Sequence, residues 1–368
     1  MLFENIQNFA LILLYGGLIL QSFIVLANPM KVNKRANFFF GLFLFLWSSY
    51  WSLDILRLCG LFPNQLLTFT IYSIEIFTPL FLFFSTIFYI NPNYKFNKTN
   101  IICLVTPIFY LILLINSEGN KMVGTFADFV AIFHNLPYIA IIYFKVKKYQ
   151  KRIEDISSST ENINLQWLSK LSLLLFCTIL ITVGYELFNM FVYKLHQHLV
   201  MDLFFLFIIY STFYQVLRQK EIYPFDEKER EELLSVELGN EERTEKKKLV
   251  SEDEFENLKQ KLIVFMETEK PYLDGELNLS KLSGFININA HQLSYLLNNG
   301  FGENFFQFVN KYRVQRAKEL LTDDAYKKLS IIGIAFESGF NSKTSFNTIF
   351  KKLTSETPSE FRKKQTDL

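Results

Sequence analysis

Seven ionisable side chains stand inside otherwise apolar stretches of this sequence: Asp54, Arg57, Glu75, Asp128, His134, Glu186 and Asp202. In hydrocarbon each is costly, so each is expected to face a bundle interior, an aqueous cavity or an interface, where it can bind a ligand or register a proton. They are the candidate sensing groups. Asp54 and Arg57 are three residues apart on one helical face, which reads as a self-neutralising pair that permits insertion. Glu75 sits near the middle of its apolar run with no opposite charge in that run, and reads as functional. His196 and His198 alternate in a short connection with no cysteine or carboxylate beside them. They read as ordinary interfacial histidines, and no metal site or cofactor is expected. Cys59, Cys103 and Cys177 are far apart, form no CxxC pair, and read as reduced packing residues.

The elements that must position these groups follow from composition. Half of the 368 residues are hydrophobic, 17% are aromatic, 41 are Phe, and the mean hydropathy is +0.17, all of which point to a membrane protein. A bilayer core about 30 Å thick needs roughly 20 apolar residues per helix. Runs of about that length occur near 8–27, 37–59, 66–90, 123–145, 168–193 and 199–217, and the shorter run Ile101–Ile115 supplies a seventh. Residues 1–8 lack the basic start of a cleaved signal peptide and no small-residue cleavage site follows, so the first run is expected to remain as an anchor.

Seven spans put the chain ends on opposite sides. The connections after spans one, three and five carry Lys31, Lys34, Arg35, Lys95, Lys98, Lys145, Lys147, Lys148, Lys151 and Arg152, against only Lys121 and Lys194 in the opposite-side connections. Basic residues are retained on the cytoplasmic side, so the amino terminus is expected outside and the carboxyl half in the cytoplasm, with the protein a multi-pass resident of a bacterial cytoplasmic membrane. A retinal photoreceptor is disfavoured, because Leu199–Leu217 contains no Lys for a Schiff base.

Residues 219–250 hold ten acidic and seven basic residues and read as a charged linker, either a solvated spacer or a signal-transmitting helix. From Ser251 the pattern is helical throughout, an all-α domain. Leu279, Leu282 and Phe285 form a short apolar face, Ile286–Ile288 turns, and Asn289 with Gln292 approximates a capping box for a second helix. The helix Asn304–Leu321 places Phe305, Phe308, Val309, Tyr312, Ala317, Leu320 and Leu321 along one stripe. A second pair begins at Ser330, with Ile331, Ile334 and Ala335 inward, Gly339 as a left-handed stop and Ser342 as cap of a helix that suits a major groove. Arg313, on the inner side of the joining helix, reads as a structural tie through a carboxylate rather than a phosphate contact.

This tail resembles the DNA-binding domain of the AraC/XylS family of bacterial regulators over about Asp253–Lys364. The matching residues are Arg313, Ala317–Leu321, Ile334-Ala335, Gly339-Phe340, Phe346, Phe350-Lys351-Lys352, Thr357-Pro358 and Phe361-Arg362. The resemblance implies two helix-turn-helix units joined by a long helix, with the second helix of each unit entering adjacent major-groove segments. On those helices Ala290, His291, Ser294 and Tyr295, then Ser342, Lys343, Thr344, Asn347, Thr348, Lys351 and Lys352, are the expected exposed DNA contacts. The sequence departs from the family where Tyr295 and Thr348 replace a customary basic residue and Leu297-Asn298 replaces Phe-Lys. Residues 251–303 hold four basic and nine acidic residues while 304–368 hold twelve and seven, so the second unit should dominate phosphate attraction.

The whole reads as an all-α protein: a seven-helix transmembrane bundle over 1–218, the linker 219–250, and a cytoplasmic AraC-type domain over 251–368. No phosphate loop, HExxH or nucleophile elbow is present, so no enzyme is expected. The expected function is a one-component transcription regulator, with double-stranded DNA, the lipid bilayer and a signal or ligand as partners, and with dimerisation raising the effective concentration of two weak tails. The alternatives are a transporter or intramembrane enzyme with a partner-binding tail, and a passive anchor for a constitutive DNA binder. The identity of the signal, the operator and the sign of regulation are not written in the sequence.

Overall fold

The structure, a computed structural model, describes residues 2–117, 120–191, 198–223, 227–239 and 252–366. Among them the chain is all helix and turn, save one antiparallel bridge between Ser157 and Asn278. It divides into two compact units, Met1–Lys148 with Leu165–Ile222, and Tyr149–Asn164 with Tyr223–Leu368.

Among the described residues seven helices are long and apolar enough to cross a membrane: α1 (Glu4–Ala27), α2 (Lys34–Leu58), α3 (Gln65–Ile90), α4 (Lys98–Asn116), α5 (Lys121–Asp155), α6 (Gln166–Tyr185) and α7 (Leu199–Arg218); they belong to the first unit, save the end of α5 from Tyr149 on, which belongs to the second. They correspond to the seven apolar runs of the sequence. α1 packs on α2 and α7, and α2 packs on α3. Small and hydroxylic residues bring these helices close. The Ser22 hydroxyl donates to the Gly41 carbonyl at 2.8 Å, and the Ser85 hydroxyl to the Ala36 carbonyl at 3.0 Å. A Cβ at Gly41 would lie 2.6 Å from Leu26 Cγ, so α1 and α2 meet through glycine.

α3 is interrupted. Its regular turns end at Glu75 and resume at Thr78, with Pro79 in the first turn of the second segment. Proline has no N–H and cannot continue the ladder, and Leu80 N–H instead reaches back to the Phe77 carbonyl at 3.1 Å. The Ile76 carbonyl is taken by His134 Nε2 of α5 at 3.0 Å, so a side chain repairs what the break exposes.

The second unit comprises α8 (Glu227–Gly239), α9 (Glu252–Thr268), α10 (Leu279–Phe285), α11 (Ala290–Leu296), α12 (Phe305–Thr322), α13 (Ile331–Glu337), α14 (Lys343–Thr354) and α15 (Pro358–Thr366). Within the stretch expected to be a linker, Glu227–Gly239 is therefore helical, with Leu233, Leu234 and Val236 buried. α12 runs through the centre. Val314, Ala317, Leu320 and Leu321 of α12 meet Ile334, Ala335, Phe340, Phe346, Ile349 and Phe350 in one core, flanked by Phe361.

Arg313 of α12 is 1% exposed. Its Nε donates to the Tyr272 carbonyl at 2.8 Å, Nη2 to the Asp274 carbonyl and Ser158 Oγ, each at 2.9 Å, and Nη1 to the Ser158 carbonyl at 3.1 Å. The expected structural tie is present, but its acceptors are carbonyls and a hydroxyl rather than a carboxylate. Burial pushes the guanidinium down to about 10 while Asp274 and Glu276 oppose that shift, so it stays cationic at neutral pH. Arg313→Met would strand several buried acceptors at about 1–3 kcal/mol each. Amides of α12 in the full chain should then exchange with solvent at least about tenfold faster; unchanged exchange would show that the guanidinium does not hold the unit.

Candidate nucleic-acid interface

The two helical pairs of the second unit are built by local capping. Asn278 Oδ1 accepts the Lys281 N–H at 2.8 Å and starts α10. The turn to α11 passes through Asn287 at φ 59°, and Asn289 and Gln292 then form the reciprocal capping box expected from the sequence. α11 ends in a wider turn over Leu297–Phe301, and a second capping box, Asn304 with Gln307, starts the joining helix α12. In the second pair Ser330 caps α13 and Ser342 Oγ accepts the Ser345 N–H at 3.1 Å to start α14.

The bend between α13 and α14 depends on Gly339. Its φ is +84°, and a Cβ there would lie 2.2 Å from the Tyr272 carbonyl oxygen, so only glycine fits. Phe340 then turns into the core, with its ring centroid 5.0 Å from that of Phe346. α15 is fixed by Thr357 and Glu360. Glu360 Oε2 accepts the Thr357 N–H at 2.8 Å, and that bond, with the Thr357 hydroxyl, holds the Glu360 carboxyl below the usual carboxylate range. Arg362 Nη1 donates to the Leu329 carbonyl at 2.9 Å, so this arginine braces the second pair.

The expected contact residues divide into two environments. In the second pair Lys343, Thr344, Thr348, Lys351 and Lys352 are exposed along α14, Asn347 is half-buried, and Phe346, Ile349 and Phe350 face the core. Ser342 is half-buried, and its hydroxyl donates to Glu161. In the first pair the expectation of exposure fails for Ala290, at 0%, and Ser294, at 4%. The reason is α8, which lies beside α10 and α11. Glu232 Oε1 of α8 accepts the Ala290 N–H at 2.8 Å, its Oε2 accepts the Ser280 hydroxyl at 2.9 Å, and Ser235 Oγ lies 2.8 Å from His291 Nε2. Tyr295 is half-buried, edge to face with Phe255 of α9 at 5.9 Å. Phe285 also departs from expectation: it is 55% exposed and lies against Phe265 instead of facing the small core.

Sequence reasoning missed Glu232, Ser235, Ser158 and Glu161. Each meets the helical pairs across a separation no periodicity records: Ser158 lies 155 residues from Arg313, Glu161 181 residues from Ser342. The acidic run containing Glu232 was the one available signal, since carboxylates suit helix amino termini.

The sensing candidates lie in the first unit. Asp54, Arg57, Glu75, His134 and Asp202 line a single cavity of about 810 Å³. The expected pair forms, with Arg57 Nη1 donating to Asp54 Oδ1 at 2.9 Å. Asp128 is exposed and is not among the cavity residues, which leaves an interface as the one expected position open to it. The side chain of Glu186 falls outside the described residues, as do His196 and the side chain of His198.

Comparison with known proteins places a helix-turn-helix domain family on residues 282–364. An uncharacterized HTH-type transcriptional regulator of Staphylococcus aureus (strain COL) is 36% identical over 87 residues, 24% of this chain and 11% of the relative. The uncharacterized transcriptional regulatory protein YesN of Bacillus subtilis (strain 168) is 37% identical over 79 residues, 21% of each chain. This chain thus spans about a tenth of the length of the Staphylococcus relatives it matches. No solved structure matches it.

Lys343, Lys351 and Lys352 are the exposed cationic side chains expected to attract phosphate along α14. Lys351→Glu with Lys352→Glu should lower duplex affinity at least about tenfold and flatten its salt dependence by about one log unit per log unit of salt for each phosphate that is no longer neutralised. Unaltered affinity and slope, measured by titration of the full chain, would remove α14 from the interface. The match, the two capped helical pairs and the glycine-dependent bend together identify residues 282–364 as a helix-turn-helix domain of the AraC type.

Proposed function

We propose that this chain is a one-component transcription regulator held in the bacterial cytoplasmic membrane. The seven apolar helices span the bilayer with the amino terminus outside, and the second unit reads double-stranded DNA in the cytoplasm. The observation that carries the reading is the joining of a seven-helix apolar unit to an AraC-type helix-turn-helix domain in one polypeptide. The excess of Lys and Arg in the connections after the first, third and fifth helices supports the orientation. The lysines of α14 supply sequence-independent attraction to phosphate, and Thr344, Asn347 and Thr348 supply polar groups for base edges. Dimerisation through the membrane unit would let two such tails engage neighbouring sites.

The coupling between signal and DNA rests on the segments that hold the two reading helices. α8 is the next described helix after the last apolar one, and residues 149–164 hold the end of the fifth apolar helix and its connection to the sixth. Both belong to the second unit, and each places a carboxylate at the start of a reading helix: Glu232 on Ala290 and Glu161 on Ser342. In a complex with duplex DNA the backbone N–H groups at such a helix start face phosphate. A carboxylate from the protein competes for that place, so the first reader is covered until α8 moves. A signal that shifts the apolar helices acts on α8 and residues 149–164 through the chain itself.

Glu232→Ala removes one such competitor. It should raise occupancy of genomic target sites by the membrane-bound protein by about tenfold, the worth of one charge-assisted hydrogen bond. Genome-wide mapping of crosslinked sites for both forms of the full chain tests this. Discrete sites that strengthen in the variant are expected; a uniform background in both forms would reject DNA reading, and equal occupancy would reject α8 as the cover.

A further inference from the structure

The cavity of the first unit draws side chains from every one of the seven helices, including Glu4 of α1, Tyr110 of α4, Thr178 of α6 and Asp202 of α7. Three of its charged residues sit at one end. Glu4 is in the first turn of α1, Arg57 in the last turn of α2, and Asp202 in the first turn of α7. These three turns lie on the side of the bundle where the chain begins. Among the described residues the lining carries four carboxylates, Glu4, Asp54, Glu75 and Asp202, against one guanidinium, Arg57, which Asp54 already engages at 2.9 Å. Glu75, at the interruption of α3, shares that lining with no other Lys or Arg.

A second feature is independent of the acids. His134 is 5% exposed, lines the cavity, and bonds through Nε2 to the Ile76 carbonyl. A carbonyl only accepts, so Nε2 carries the proton and Nδ1 presents a bare lone pair. That Nδ1 is buried with no partner, and so is the hydroxyl oxygen of Thr78, also buried in the lining. A buried acceptor left without a donor costs about 1–3 kcal/mol, so a donor is wanted there. Part of the remaining, largely apolar wall is aromatic. Phe43, Trp47, Trp51 and Phe205 form a continuous run of rings, with centroids 5.2 Å apart for Phe43 and Trp47 and for Trp51 and Phe205, and 6.1 Å for Trp47 and Phe205.

We propose that this cavity binds an organic cation: a protonated amine on an aromatic or alkyl body, its ammonium toward Glu75 and His134 and its body against the Trp47 and Trp51 rings. An ammonium offers three donors and a positive charge to a lining that supplies acceptors, excess negative charge and ring faces. An anion of the same shape meets like charge and finds one guanidinium, already engaged. The volume suits a ligand of drug-like size. The proposal deepens the regulatory reading above by naming the chemical class of the signal, and it rests on that reading for its consequence at DNA.

The test uses the full chain in lipid nanodiscs and three probes of one shape: 4-phenylbutylammonium, 4-phenylbutanol and 5-phenylvalerate. Binding is read by tryptophan fluorescence against empty nanodiscs. The ammonium should bind about tenfold or more tighter than the alcohol or the carboxylate. Glu75→Gln should erase that preference while retaining the alcohol, which shows that the variant is folded, and Glu75→Asp should restore part of it. Equal affinity for the three probes, no binding beyond empty nanodiscs, or an unchanged preference in Glu75→Gln would overturn the proposal. Retention of promoter DNA by the same nanodiscs separates the two readings. Ammonium binding without any change in DNA retention supports the site and contradicts its regulatory consequence, whereas DNA retention without ammonium binding overturns the site alone.

Discussion

One buried guanidinium holds the second unit in register. Arg313 gathers the Tyr272 and Asp274 carbonyls from the turn before α10 and the carbonyl and hydroxyl of Ser158 from the connection between the fifth and sixth apolar helices. Asn310, one turn earlier on α12, donates to the same Ser158 carbonyl at 3.0 Å. A guanidinium has five donors in a rigid plane and tolerates burial only when they are satisfied. The joining helix therefore fixes two other chain segments by satisfying one side chain, and Gly339 can pass against Tyr272 because that turn is already held. The two helical pairs are placed by this arrangement, and the surface they present follows from it.

The first unit obeys a different constraint. Backbone polar groups in an apolar surrounding must be paired within the protein, which is why regular helices dominate and why the interruption of α3 carries interest. Pro79 breaks the ladder beside Glu75, and His134 completes the exposed carbonyl from the next helix but one. The repair fixes the histidine tautomer and leaves its other nitrogen buried without a partner. A local backbone defect, a carboxylate and an acceptor are thus brought to one cavity by the need to pair buried backbone polar groups.

The parts of the fold carried by local chemistry were legible in the sequence. Apolar run length marks the seven helices, Asn289 with Gln292 marks the start of α11, and Gly339 marks the left-handed stop, because each signal lies within a few residues of its consequence. Contacts between distant segments were not legible. Nothing near Ala290 announces that Glu232 will cover it, and the charge of 219–250 conceals Leu233, Leu234 and Val236, the apolar face on which α8 packs. Phe285 failed for a related reason: on a seven-residue helix the inner stripe is one turn wide, and its end falls outside the core, beside Phe265. For the seven ionisable residues within apolar runs, position in the run predicted cost but not company. Five share one cavity, and Asp128, on the same helix as His134, stands apart from it.

The central claim is that a bundle in the bilayer presents a DNA-reading unit on the cytoplasmic side. DNA capture by sealed membrane vesicles of defined sidedness measures that directly. Inside-out vesicles carrying the full chain should retain duplex fragments enriched from the genome, and right-side-out vesicles should retain none until they are opened. Capture by intact right-side-out vesicles, or by neither kind even after opening, would contradict the account.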